Sequence, residues 1–202
     1  MHLYYAPNSI ALVTLIVLEE VGAPYTATRL DLAAGMQRQD DYTAINPKGR
    51  VPSLVTDHGI LTETPAILTY LAQIYPSAKL MPGDPFQAAR VQEMLSYLCS
   101  TVHVSHAHKG RGYRWSDDPQ VIAALKLKVG QNITDHFTYL EGRFTGPWAM
   151  GEDYSVADPY LYVLTRWAGP DGADLSQCPK ILGHMAAMAA RPAVQRALAV
   201  QG

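Results

Sequence analysis

The sequence has 202 residues, of which 48% are hydrophobic and 17% are charged, and its formal net charge is -2. This composition is typical of a folded globular protein, and the small net charge argues against nucleic acid or an anionic membrane as a partner. No apolar run is long enough to span a membrane and no leader pattern is present, so we expect a cytoplasmic protein. Cys99 and Cys178 lie far apart in the sequence and predict two reduced, buried thiols.

The N-terminal part of the chain alternates between strand and helix patterns. Residues 3–5 predict a short strand, and residues 9–21 predict a buried helix because they are apolar on nearly every face. Gly22 ends this helix, and residues 25–30 alternate as a second strand does. Residues 32–44 are weakly patterned and predict a loose helix. A β–α–β start of this kind predicts a parallel pair of strands with a right-handed crossover.

Turn-forming residues then reverse the chain at positions 46–49. Residues 50–55 form a strand pattern that is entered through Pro52, which must take the first strand position because proline has no N–H to donate. The peptide bond before Pro52 is a candidate for the cis form. Residues 57–59 predict a tight turn into a second short strand, so this segment is a hairpin.

The helix after the hairpin has a clear start. Thr64 is predicted to cap it and Pro65 suits its first position. The free N–H groups at a helix N-terminus could hold a small carboxylate, while Glu63 beside them could hold an ammonium group. Together they fit the headgroup of an α-amino acid. The alternative is a capped surface helix with a solvated Glu63.

The second half of the chain contains only helical patterns. Residues 76–84 are rich in Pro, Gly and Ser and predict a linker. Asp84-Pro85 and Asp118-Pro119 predict the starts of two helices, and residues 179–190 and 192–200 predict the last two. Ser155 and Asp158 have the spacing of a capping box, which indicates a structural role at the start of another helix.

Several of these segments together resemble the cytosolic glutathione transferase superfamily, and most of all its bacterial, beta-like members. The segments are NPKGRVPSL, LTETPAIL, the segment around His103, and YSVADPYLYVLTRWA. The resemblance covers nearly the whole chain. It implies an α/β thioredoxin-like N-terminal domain at residues 1–77, followed by an all-α helical-bundle domain at residues 85–202.

The resemblance also implies a co-substrate and where it binds. Glutathione would lie along the first domain, where the Val51 backbone, flanked by Arg50 and Pro52, would pair with the cysteinyl part. Glu63 and Thr64 would hold the γ-glutamyl end. A small apolar electrophile would enter between the domains, where the glutathione thiolate would attack it. A homodimer is implied, and neither a metal ion nor a nucleotide is needed.

The thiol must be ionised for this reaction, and a free thiol titrates near ~8.5. Beta-like members have a Cys-Ser pair at the start of the first helix, but this sequence has Ile10 and Ala11 there. Mixed-disulfide chemistry is therefore not expected. Tyr5, Ser9 and backbone N–H groups remain as candidates that could stabilise the thiolate. The alternatives are a half-buried strand tyrosine for Tyr5 and a helix N-cap without ligand contact for Ser9.

Histidines on a helix of the second half are further candidates. His103 lies where the family places a histidine that faces the thiol, and it could favour the thiolate. His106 lies one turn later on the same side, and we count it with the glutathione-binding residues. The alternative for each is a histidine of the core or surface. Their spacing with His108 could also bind a metal ion, although we predict no metal site.

Two further segments are candidates for the pocket of the electrophile. Residues 108–115 are basic and aromatic; a phosphate or nucleic-acid site there conflicts with the overall charge, whereas Tyr113 and Trp115 could line an apolar pocket. Arg166 and Trp167 match a segment of the family. They either face the same cleft or form a core tryptophan with an interdomain arginine.

The sequence therefore predicts a glutathione transferase that lowers the pKa of the glutathione thiol and transfers the tripeptide to a small apolar electrophile. Two other classes stay open, because a fold does not determine a reaction. One is a carrier that binds glutathione with little activity. The other is a different glutathione-dependent enzyme, such as an isomerase, dehalogenase or peroxidase.

Overall fold

The computed structural model describes residues 1–201, which form two compact units. The first unit contains Met1–Met81 together with the C-terminal residues from Ala189 onward, and the second contains Pro82–Met188. The predicted fold class, a thioredoxin-like region followed by a helical region, is confirmed.

A four-stranded sheet with the strand order β2-β1-β3-β4 forms the centre of the first unit. The strands are β1 (His2–Tyr5), β2 (Thr26–Arg29), β3 (Ser53–Thr56) and β4 (Gly59–Thr62). β1 and β2 are parallel, whereas β3 is antiparallel to both β1 and β4. The predicted β–α–β start and the hairpin are therefore both confirmed.

Helix α1 (Ala11–Val21) joins the two parallel strands and is buried from its first residue through Leu18. It contacts β1, α3 (Thr64–Ile74) and α9 (Pro192–Gln201), which explains why its sequence is apolar on nearly every face. Gly22 ends α1 in the left-handed conformation, as predicted. The weak pattern before the hairpin corresponds to a short 3-10 turn and to α2 (Asp40–Thr43).

Helix α9 packs with the first unit, although our predicted limits placed it in the second domain. Its neighbouring Arg191 pairs with both carboxylate oxygens of Glu20, at 2.6 and 2.9 Å, and Arg196 pairs with Glu19 at 2.6 Å. Three of the buried residues of α9, Ala193, Val194 and Ala197, give it an apolar face. The sequence limits 1–77 and 85–202 thus differ from the grouping in space.

Helices make up the second unit. They are α4 (Pro85–Tyr97), α5 (His103–Arg111), α6 (Pro119–Arg143), α7 (Ala157–Ala168) and α8 (Pro179–Ala189). A π-helical turn at Leu98–Val102 joins α4 to α5. Asp84 and Asp118 cap α4 and α6 as predicted, since their carboxylates accept from the N–H groups of Gln87 and Gln120.

The thiols were only partly predicted. Cys178 is buried, whereas Cys99 is partly exposed in the π-helical turn, so the prediction of two buried thiols is wrong for Cys99. Both cysteines are free, as predicted. Across residues 1–201, every helix is too short or too polar to cross a membrane.

Candidate functional site

The register of the sheet brings most of the candidate residues of the first unit to one end. Tyr4 pairs with Ser53, and Ser53 pairs with Thr62 on its other side. The end of β1, the segment that enters β3 and the residue after β4 therefore lie next to one another. This end of the sheet carries Tyr5 and the turn that contains Ser9, and beside them the pairs Val51-Pro52 and Glu63-Thr64.

The peptide bond between Val51 and Pro52 is cis, as the sequence suggested. β3 begins at Ser53, one residue later than predicted. Within residues 1–201, the N–H and C=O groups of Val51 have no hydrogen-bond partner. They are therefore available to the main chain of a bound peptide, which would pair with them as an added strand does.

Two buried polar side chains hold the loop that leads to this bond. The hydroxyl of Tyr42 donates to the carbonyl of Arg50 at 2.5 Å, and Asn46 Nδ2 donates to the same carbonyl at 2.7 Å. Both side chains also hydrogen-bond to the hydroxyl of Ser53, at 2.8 and 3.2 Å. The side chain of Arg50 itself is exposed. The sequence analysis treated Asn46 only as a turn residue and missed this network.

Gly49 makes the tight part of the same loop possible. Its φ is +60°, and a Cβ atom at this position would lie 2.9 Å from the carbonyl oxygen of Gln37. Any other residue would therefore strain the loop in two ways.

The start of α3 differs from the prediction in one respect. Thr64 is the first residue of the helix rather than its cap, and Glu63 takes the cap position with a φ of 70° and without a capping hydrogen bond. Thr64 is buried, and its hydroxyl has no hydrogen-bond partner within residues 1–201. The N–H groups of Thr64 and Ala66 belong to the first turn, so the helix itself supplies no acceptor for them. These donors lie at the positive end of the helix dipole and are therefore suited to bind an anion.

Glu63 is exposed to solvent and is also paired with a lysine. Its Oε1 atom lies 2.5 Å from the ammonium of Lys48, which also donates to the hydroxyl of Thr62 at 2.7 Å. Both charged side chains are largely exposed, at 43% for Lys48 and 63% for Glu63. Lys48 was not predicted as a partner of Glu63, because it is 15 positions away and lies in a segment that indicated only a turn.

Two histidines of the second unit, His103 and His106, are near neighbours of Trp167. Ring centroids of His103 and Trp167 are 5.4 Å apart, and those of His106 and Trp167 are 5.6 Å apart. His103 is partly exposed and its Nδ1 lies 3.4 Å from the hydroxyl of Tyr160. His103 directly follows the π-helical turn, a type of distortion that is frequent at functional sites.

His106 is buried and forms a dyad with Asp171, whose Oδ2 lies 2.6 Å from Nδ1 of the imidazole. Burial lowers the pKa of His106, and this effect outweighs the opposite influence of Asp171. Lys109 contributes to the lowering and pairs with Oδ1 of the same carboxylate at 2.8 Å. We therefore treat His106 as neutral near pH 7, with its second nitrogen, Nε2, unpaired within residues 1–201.

Known proteins resemble this chain both in its N-terminal part and over its full length. Residues 1–73 match the family model for the glutathione S-transferase N-terminal domain. A glutathione S-transferase from Escherichia coli is 32% identical over 100% of this chain and 99% of its own length. The chain belongs to the glutathione S-transferase family.

Two further relatives show the range within this family. The crystal structure of a glutathione transferase homologue from Sulfitobacter, determined with bound glutathione, has a TM-score of 0.93 and 42% identity and covers 96% of this chain and 95% of its own. A maleylacetoacetate isomerase from Pseudomonas aeruginosa is 30% identical over 98% of this chain and 94% of its own length.

The hydroxyl candidates of this glutathione S-transferase are already engaged. Tyr5 is buried and donates to the carbonyl of Val200 at 2.9 Å. Ser9 donates to the carbonyl of Ala6 at 2.7 Å and accepts from the N–H of Ala11 at 3.2 Å. These bonds favour structural roles for both residues, because neither proton is free to stabilise a thiolate. The cap position of α1 is taken by Ile10, so the predicted N-cap role of Ser9 is wrong. Their catalytic role stays a prediction.

Tyr113, Trp115 and Arg166 stay predicted residues of the electrophile pocket. Tyr113 and Trp115 are 51% and 47% exposed, and the Trp115 ring packs edge-on against His108 with centroids 4.3 Å apart. The guanidinium of Arg166 lies over the ring of Tyr162 at 5.7 Å. Among the described residues, no group of three or more His, Cys, Asp or Glu side chains is arranged to hold a metal ion.

Proposed function

We propose that this member of the glutathione S-transferase family binds glutathione on the first unit and transfers it to a small apolar electrophile. One observation carries the proposal: the register of β1, β3 and β4, which places complementary groups for a zwitterionic peptide at one end of the sheet. The bound glutathione of the Sulfitobacter relative, at 42% identity, supports the same ligand.

The cysteinyl main chain and the γ-glutamyl head of glutathione have matching groups there. The cysteinyl main chain pairs with the unpaired N–H and C=O of Val51. The carboxylate of the γ-glutamyl head accepts from the first turn of α3 and from the hydroxyl of Thr64, and its ammonium binds the Glu63 carboxylate. Each of these groups carries the charge or the hydrogen-bonding role opposite to its partner, so the tripeptide leaves none of them unpaired.

Fewer observations support a particular group for activation of the thiol than for binding of glutathione. Lowering the thiol pKa by about two units requires roughly 2.7 kcal/mol of preferential stabilisation of the anion. Because the protons of Tyr5 and Ser9 are donated to main-chain carbonyls and the N–H groups of residues 11–13 also have acceptors, we favour the N–H of Ile10, which has no partner within residues 1–201, and the helix dipole of α1 as the main contributors. His103 and His106 stay predicted members of the site, as do Arg50 and Pro52.

Calorimetric titration with glutathione tests the binding site. Thr64→Ala should weaken the affinity about fivefold, because it removes one hydroxyl hydrogen bond of roughly 1 kcal/mol. Thr69→Ala is the matched control on the same helix, since the Thr69 hydroxyl donates to the carbonyl of Pro65 and should not matter for the ligand. If the wild-type protein ignores glutathione, the proposed function is wrong. If Thr64→Ala binds as well as wild type, the headgroup lies elsewhere.

An isomerase is the second candidate function. Sequence identity of 30% to a maleylacetoacetate isomerase over nearly the full chain favours it. A panel that includes cis-enone diacids and aromatic halides would separate the two, because an isomerase returns glutathione unchanged whereas a transferase consumes it.

A carrier without activity would show an unshifted thiol pKa by thiolate absorbance. We further propose a homodimer, which sedimentation analysis can test.

A further inference from the structure

We propose that Lys48 is a glutathione-binding residue that contacts the α-carboxylate of the γ-glutamyl head. This inference rests on the proposed function and adds a residue and a specificity to its site. Lys48 stands in the turn before Val51, a position that otherwise indicates only a chain reversal.

The position of the lysine is built into the loop. Its main-chain N–H donates to Oδ1 of Asn46 at 3.2 Å, and Asn46 is itself buried and bonded to the Arg50 carbonyl. The next residue, Gly49, has a left-handed φ that brings the loop close to Gln37. The backbone that carries the ammonium is therefore held on both sides of Lys48.

The hydrogen bonds of the ammonium leave room for a ligand. An ammonium group has three N–H donors. In Lys48 one donor is used by the hydroxyl of Thr62 and one by Oε1 of Glu63. The third has no partner within residues 1–201. It lies next to the first turn of α3, whose N–H groups attract the same kind of anion.

When an α-amino acid head binds beside Lys48 and Glu63, its two charges and theirs alternate in sign. The ammonium of Lys48 already neutralises one oxygen of Glu63, and the other oxygen can accept from the ligand ammonium. The ligand carboxylate then completes the set by accepting from Lys48. Opposite charges are adjacent at each step, so the arrangement selects a ligand that carries both charges.

The exposure of the pair indicates that it serves binding rather than folding. Ion pairs between side chains as exposed as Lys48 and Glu63 contribute little to stability. We therefore expect Lys48→Met to keep the melting temperature of the wild type. This expectation allows binding to be measured on a folded variant.

The test is calorimetry of Lys48→Met with glutathione and two analogues. Glutathione should bind about tenfold more weakly, the size expected for one charge-assisted hydrogen bond, and the difference should shrink at high salt. Glutaryl-cysteinylglycine, which lacks the α-ammonium, should show the same tenfold loss. γ-Aminobutyryl-cysteinylglycine, which lacks the α-carboxylate, should bind to variant and wild type equally or more tightly to the variant. Lys126→Met, an exposed lysine of α6, is the matched control and should change nothing.

Two outcomes would overturn the inference while leaving the proposed function intact. One is unchanged glutathione affinity in Lys48→Met when wild type binds. The other is an equal loss for both analogues, which would place the lysine at the glycine carboxylate that both of them keep. Failure of the wild-type protein to bind glutathione would instead overturn the proposed function.

Discussion

Glu63 combines an unfavourable backbone angle with an exposed side chain. A non-glycine residue held at a φ of 70° costs on the order of 1–3 kcal/mol, and the surface ion pair with Lys48 returns about 0–1 kcal/mol. The pair therefore does not offset the strain. Strain of this kind persists where the surrounding structure imposes it and is concentrated at binding sites. This balance favours a ligand-binding role over the surface-helix alternative.

His106, unlike Glu63, is a buried residue whose side chain is held by its neighbours. Its side chain is buried, its ring packs against Trp167, and its Nδ1 is held by Asp171. Because Lys109 occupies the other carboxylate oxygen, the dyad has a nearby positive charge even while the imidazole is neutral. Burial makes protonation of His106 unfavourable in the folded state, as its lowered pKa indicates.

Stability should therefore fall at mildly acidic pH. The unfolded chain has a histidine pKa of about 6.5 and the folded chain a lower one, so the unfolded state binds more protons as the pH drops. The stabilisation is complete above pH ~6.5 and is lost below it, by at most about 1.4 kcal/mol per pH unit for one group. His106→Phe keeps a ring against Trp167 and should flatten this slope in urea unfolding between pH 7 and 5.

The slope should be reduced in that variant rather than abolished. Burial also lowers the pKa of His136, which acts in the same direction. His58→Phe is the control for the substitution itself, because His58 is exposed in the hairpin turn. An identical slope in His106→Phe and wild type would show that His106 is not the responsible group.

Among the elements, α7 starts at a buried carboxylate that accepts several hydrogen bonds. Asp158 is fully buried and its carboxylate accepts from the N–H groups of Ala149 and Ser155, both at 2.7 Å, and from Nε2 of His184 at 3.0 Å. The capping-box spacing predicted the bonds to Ser155, whose hydroxyl in turn accepts from the N–H of Ala157. One carboxylate thus joins the loop before α7 to the start of α7 and to α8.

Asp158→Asn should destabilise the protein by roughly 3 kcal/mol or more. The amide offers one acceptor oxygen in place of two and turns an NH₂ group toward existing donors, so buried donors lose their partners. Equilibrium urea unfolding measures the loss. Ser155→Ala, which removes only the hydroxyl, should cost about 1 kcal/mol. A loss for Asp158→Asn no larger than that for Ser155→Ala would contradict the assigned role.

At the scale of the whole molecule, the C-terminus completes the N-terminal unit. Helix α9 covers α1, its carbonyl at Val200 accepts from Tyr5, and two arginines pair with Glu19 and Glu20. The sheet end that carries the candidate site therefore depends on residues from the opposite end of the chain.

Removing the residues from Ala189 onward should prevent the first unit from folding stably, because the buried face of α1 would meet water. Burial of apolar surface contributes about 25 cal/mol per Å², so the loss of one helix face costs several kcal/mol. Expression of the shortened chain, with solubility and amide exchange of residues 1–81 as measurements, tests this. Arg191→Met keeps the apolar contacts and should be folded and only mildly destabilised. A shortened chain with full amide protection in α1 would disprove the dependence.

Local chemistry made many features predictable. Proline and aspartate mark the starts of α4 and α6, apolar residues on all faces mark α1, and the proline after Val51 marks the cis bond. Each of these depends on residues within a few positions of one another. The family resemblance added the fold and predicted that Val51, Glu63 and Thr64 belong to one site. The cap assigned to Thr64 was wrong because the helix starts one residue earlier, with Glu63 at the cap position and a φ of 70°.

The sequence by itself thus determined most of the elements and the family, and it predicted where a peptide would bind. Only the tertiary structure decided which partners the site residues have. Tyr5 meets Val200 across 195 positions, His106 meets Asp171 across 65, and Lys48 meets Glu63 across 15. No local periodicity encodes such contacts, because they form only when the packing of helices and strands brings distant segments together.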